Sequence, residues 1–141
     1  MRRPAFLLLL PLLLAACAGT TLPVVGSACP HPGAKPMLVA ELAFGRNVKG
    51  GPGVSDADWA QFQQETLTRQ FPDGLTVHEA EGQWHDPRAK RLVREPTKWV
   101  TLILPDTAES IAGIRAVTDA YKRRFGQDSV MVITHPRCVA F

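Results

Sequence analysis

Between Met37 and Phe44 every residue except Glu41 is apolar. A run with no polar face suits a strand covered on both sides, so this segment is predicted to lie at the centre of a sheet. The Gly- and Pro-rich stretch Arg46 to Val54 reads as a loop. Ser55 then supplies an N-cap hydroxyl, with Asp56 and Asp58 at the positive end of a helix. Trp59, Phe62, Thr66, Leu67 and Phe71 fall on one face of that helix, and Pro72-Asp73-Gly74 ends it. Leu75 to Trp84 is predicted as a second strand, the polar segment His85 to Pro96 as the turn, and Lys98 to Leu104 as a third strand, apolar enough to be central. Asp106 and Glu109 stand at capping-box spacing before a second helix with an Ile111, Ile114, Val117, Tyr121 and Phe125 stripe. Gly126 suits its C-cap, and Ser129 to Thr134 is the last strand.

Strand, helix, strand, strand, helix, strand is the element order of an α+β ferredoxin-like plait, a four-stranded antiparallel sheet with two helices on one face. Its first and third strands are central, which agrees with their being the most apolar. Another α+β sandwich with the same order is the alternative. One domain, residues 36–141, accommodates all of it.

The chain before that domain reads as targeting and tether. Arg2 and Arg3 precede an apolar run through Leu14, shorter than the roughly 20 residues that span a bilayer as a helix. Leu14-Ala15-Ala16-Cys17 resembles the lipobox of bacterial lipoproteins, which makes residues 1–16 a signal peptide and Cys17 a lipidated N-terminus; the alternative is an ordinary secretory signal with an incidental cysteine. Ala18, rather than Asp, after that cysteine points to the outer membrane, facing the periplasm, in a Gram-negative cell. Residues 17–35, rich in Gly, Pro, Ser and Thr, form a flexible tether. The whole chain has 16 basic and 13 acidic residues; without Arg2 and Arg3 the basic count is 14. A near-neutral mature chain gives no electrostatic reason to expect nucleic acid, so the expected partners are the membrane, a second copy or an envelope protein.

The plait places its first and fourth strands side by side, so Cys29 and Cys138, which flank them, come close. In an oxidising envelope a disulfide is the expected outcome. The alternative is a tetrahedral zinc set of Cys29, His31, His135 and Cys138, although its spacing matches no familiar zinc module.

Phe44-Gly45, Val54-Ser55, Trp59, Phe62, Phe71-Pro-Asp-Gly-Leu-Thr-Val77, Gly82-Gln-Trp84, Arg94-Glu95, Tyr121, Phe125 and Gln127 together resemble the pattern of a family of small secreted bacterial proteins filed as a domain of unknown function. Gln70 stands where that pattern has Arg. The resemblance spans nearly the whole domain and implies no activity.

For chemistry, Glu41 stands out, because a carboxylate on a central strand is costly unless exposed or paired. Alternation places it on the face away from the helices, with Thr76, His78, Trp99 and Thr101. Glu41 and His78 would make an acid/base or ligand pocket there; closure against another copy, with Glu41 neutralised by an arginine, is the plainer reading. Gln83 and Trp84 join Trp99 as ligand-binding candidates, against a glycine bulge with a packed tryptophan. Glu95 and Gln127 suit turn anchors, and Arg88, Lys90, Arg91 and Arg94 a solvated basic hairpin. The loop at Lys49 to Gly53 resembles the phosphate cradle of acylphosphatases, but no arginine follows at the helix start and Pro52 removes a donor. No cofactor is expected. The sequence therefore points to a lipid-anchored envelope protein that binds a small ligand or a partner. Its alternatives are a small extracytoplasmic enzyme using Glu41 and His78, and an acylphosphatase-like hydrolase.

Overall fold

The computed structural model describes residues 29–49, 51–87 and 90–141. The predicted signal peptide, Cys17, Gly50 and Arg88 lie outside the described residues. Four strands, β1 (Lys35–Gly45), β2 (Thr76–Asp86), β3 (Arg91–Leu104) and β4 (Met131–Val139), form one antiparallel sheet in the order β2-β3-β1-β4. The two most apolar strands are indeed the central pair. Register shows why: Leu38, Ala40, Leu42 and Phe44 align with Leu104, Leu102, Val100 and Lys98, so even positions of both strands share one face. All four of those β1 side chains, with Val100, Leu102 and Leu104, belong to the same buried cluster as Trp59, Phe62, Leu67, Ile114, Val117 and Tyr121 from the helices. Both helical segments therefore cover one face of the sheet, and among the described residues no helix covers the other.

The first helical segment begins at α1 (Asp56–Phe62), where Ser55 is the N-cap as expected, accepting from the Asp58 amide, and Asp58 caps back to complete a capping box not foreseen from the sequence. It runs on through a π-helical stretch, Gln63–Leu67, into α2 (Thr68–Gln70). Phe62 and Leu67, read from the sequence as sharing one helix face, are five residues apart, which an ordinary α-helix would place well apart around its axis. The i to i+5 turn corrects it, and both side chains are fully buried. The other helix, α3 (Ala108–Phe125), is capped by Thr107, whose hydroxyl accepts from the Ser110 amide at 3.3 Å, and not by Asp106 as the spacing suggested. Gly126 ends it in the left-handed region, φ 64°. Gly113 lets α3 approach the first helical segment closely: a β-carbon there would meet the Gln70 amide at 2.8 Å and the Phe71 ring at 3.3 Å. Ile111, expected in the apolar stripe, is 40% exposed. No helix among the described residues is long and apolar enough to cross a membrane.

Two expectations need correction. Most of His85 to Pro96, read as a turn, is strand, because β2 and β3 stay paired as far as Asp86 and Arg91. The last strand also continues through His135-Pro136-Arg137-Cys138. Both extensions are largely exposed and show no apolar alternation, so main-chain pairing defines them. At the end of β4 the Cys29–Cys138 disulfide forms, with Cα atoms 5.4 Å apart across 109 residues. Its formation consumes both thiols, so the four-residue zinc set is not assembled. Among the described residues no metal-ligating group of three is present.

Candidate functional site

The helix-free face carries the residues that the sequence singled out. Antiparallel register puts Ile133, Glu41, Thr101 and Thr76 in one row across the four strands, and Met131, Ala43, Trp99 and His78 in the next. Glu41 and His78 thus share a face, as expected, but β3 lies between them and they sit one pleat step apart. No hydrogen bond or ion pair joins them, and each stands in a row of its own with a β3 residue, Thr101 or Trp99, as its neighbour. The face is apolar on its β4 side, where Met131 and Ile133 are 45% and 39% exposed, and half-buried at Trp99 and Ile103. Such a surface offers contact area more than a chemical pocket.

Gly82, Gln83 and Trp84 pair in unbroken register with Glu95, Arg94 and Val93, so no bulge forms. Trp84 is about half exposed instead of packed. Gln83 accepts from the Arg94 guanidinium at 3.1 Å, which leaves its amide engaged within the hairpin. Gly82 has a packing reason: a β-carbon there would press on the Thr97 hydroxyl at 3.3 Å.

A second group of polar residues, not foreseen from the sequence, lies where the first helical segment begins. Lys98 is on the helix side of β3, and its ammonium, almost wholly buried, is bonded to Glu79 of β2 and lies 3.4 Å from Asp56. Arg46 reaches Asp56 at 2.9 Å and donates through Nε to the Val54 carbonyl. Buried charge is tolerated only when paired in this way. Lys98 was legible in principle, since counting back by twos from Leu104 puts it on the helix side. Its partners were not, because Asp56 meets it only when the helix docks.

The same end of the sheet holds the loop after β1. Asn47 donates its amide N–H to Glu95 at 2.9 Å and accepts from the Gln127 side chain at 2.6 Å, while its own side chain donates to the Arg94 carbonyl. Glu95 and Gln127 are therefore turn anchors, as read from the sequence. The Glu95 carboxylate lies directly over Gly45, so a β-carbon there would displace it. Tyr121 donates to the Gly45 carbonyl at 2.9 Å, and its burial pushes the phenol well above its usual range. This loop closes on the protein itself. Of the predicted cradle itself, Lys49 pairs with Asp128 at 2.9 Å and the Gly51 amide donates to the Val48 carbonyl.

The Lys98 hydrogen bond, then the charges of Arg46 and Lys98, hold the Asp56 carboxyl below its ordinary value. A carboxylate with a depressed folded-state pKa adds stability that is complete above its unfolded pKa, near 4, and is lost as pH falls through the lower folded value. Asp56→Asn is therefore expected to shift the urea midpoint downward at about pH 6 and to match the parent at about pH 2. An equal shift at both pH values would place the effect elsewhere.

The architecture defines an α+β protein with a half-open antiparallel sheet. The chain belongs to the family described as Protein of unknown function (DUF3574), whose model matches residues 39–141. No curated protein matches the chain. Two solved structures are similar in fold. A phage SAM lyase in complex with S-methyl-5'-thioadenosine superposes with a TM-score of 0.58 at 17% identity, covering 73% of this chain and 90% of the other. A phage SAM lyase in the apo state gives 0.51 at 17%, covering 77% and 93%. At that identity the likeness concerns the fold.

Proposed function

We propose that this is a membrane-attached envelope domain that binds a protein partner on the helix-free face of its sheet. The observation that carries the reading is the character of that face. Apolar and half-exposed side chains run across β3, β1 and β4, while Glu41 and His78 stand apart with β3 between them. A flat apolar surface suits a protein, whereas an acid/base pair needs convergence on one reacting atom. Attachment is supported by Leu14-Ala15-Ala16-Cys17, and an oxidising compartment by the Cys29–Cys138 disulfide.

A photo-cross-linking residue at Thr101 or His78 in the native envelope is expected to capture one discrete partner. The same residue at Arg69, on the helix layer, is expected to capture none. Equal capture at both would remove the face from consideration. An alkyne fatty acid should label the chain and not its Cys17→Ser variant; label that survives the substitution would end the lipoprotein reading. The enzyme reading with Glu41 and His78 has the weaker geometry. S-methyl-5'-thioadenosine, bound in the first of those structural neighbours, provides its probe, and amide shifts concentrated around Glu41 and His78 on its addition would revive it.

A further inference from the structure

We infer that β4 is the seam of a symmetric dimer, pairing antiparallel with β4 of a second copy to give one continuous eight-stranded sheet. The two edges of the sheet differ. β2 carries Glu79, Glu81, His85 and Asp86, and charges of this kind discourage a second strand. β4 instead exposes three successive apolar side chains, Met131, Val132 and Ile133, at 45%, 42% and 39%. Pro136, Arg137 and the disulfide blunt only its far half.

The backbone fixes the register. The Arg46 amide donates to the Pro96 carbonyl, so even positions on β1 turn their main chain toward β3 and odd positions toward β4. Odd positions on β4 therefore bond β1, and Val132, Thr134, Pro136 and Cys138 turn outward. Pro136 has no N–H to offer, which is where an edge tolerates proline. The register that avoids it centres the two-fold on Ile133. Val132 then pairs with Thr134 of the partner subunit and Thr134 with the partner's Val132, two doubly bonded pairs around a close, non-bonded Ile133 pair.

The helix layer fits the same seam. A groove of about 280 Å³ runs between α3 and β4, lined by Ile111, Ile114, Arg115, Thr118, Val132 and Thr134. It explains the exposure of Ile111, whose stripe position predicted burial. Strand pairing at about 4.8 Å would bring the Ile111 side of each α3 toward the seam. Arg115, on the wall of the groove, has no ion pair among the described residues, whereas Asp119, one turn on, is paired with Lys122 at 2.7 Å. Pairing at β4 leaves Thr101 and His78 uncovered, so this inference and the partner-binding reading fail independently.

The test uses the whole mature chain, purified without reductant. At about 100 µM it is expected to have twice the monomer mass by light scattering, with Ile133→Cys joined across the axis by a short thiol cross-linker. Thr134→Pro removes only an outward N–H and is expected to give a folded monomer. If that proline unfolds the chain, Ile133→Lys, at an exposed position, is expected to give the monomer instead. A monomeric parent overturns the inference. So does a dimer that survives Ile133→Lys, or one in which Thr101→Cys cross-links as readily as Ile133→Cys.

Discussion

Replacing Cys29 and Cys138 together by serine lowers the unfolding free energy by about 4 kcal/mol, with a large fall in the urea midpoint. The bridge spans 109 residues, so it removes conformations from the unfolded chain that almost the whole domain would otherwise explore. In the chain-entropy account a loop of that length is worth between about 4 and 5 kcal/mol. The bridge also ties the segment before β1 to the end of β4, the edge strand of the described sheet. Cys138 is exposed, so a reductant in solution should reach the bond. Urea titrations of the oxidised chain, the reduced chain and the double variant provide the check. If all three share a midpoint, the bridge contributes nothing to stability. The near-equality of reduced chain and double variant would separate loss of the link from any effect of the serines.

Phe44→Ala is expected to cost about 3 to 5 kcal/mol, a large part of the 5 to 15 kcal/mol that holds a domain folded. Phe44 is fully buried on the helix side of β1. Its ring lies 4.8 Å from Tyr121, 5.4 Å from Trp59 and 6.0 Å from Phe62, so it meets α3 and the first helical segment together. Truncation opens a cavity where three elements meet, and such a site cannot collapse without moving a helix. Trp84→Ala provides the contrast. That side chain is larger but about half exposed at the hairpin end, and its loss should change stability by no more than about 0.5 kcal/mol. Comparable losses from the two variants would mean that the core does not lie between the sheet and the helices.

The edge strands show where a sequence reading stops. Met37 to Phe44 and Lys98 to Leu104 were recognisable because both of their faces are covered, and covered faces demand apolar side chains. Residues 85–86 and 91–96, beyond the strands read from the sequence, and the end of β4 are largely exposed. No side-chain pattern is required of them, and their extent follows from main-chain bonding to a neighbour. Thr107 in place of Asp106 is a shift of the same kind, since either residue has an oxygen to offer and backbone direction chooses between them. The spacing of Phe62 and Leu67 contained the π-helical turn, but only the need to bury both against one sheet face makes that turn favourable.

For the candidate site the division is similar. Alternation was sufficient to put Glu41, Thr76, His78, Trp99 and Thr101 on one face, because the two-residue period of a strand is a property of the chain itself. Register then decided that Glu41 and His78 do not converge, since the distance between residues on different strands depends on how those strands are ordered and offset. The burial of Lys98 among Glu79, Asp56 and Arg46 likewise waited on the docking of a helix across the sheet. Local chemistry thus determined which elements form, where two of them are capped and which cysteines would meet. Tertiary packing alone decided which charges are paired and which strand edge stays open, because both depend on groups far apart in sequence and held together only by the completed core.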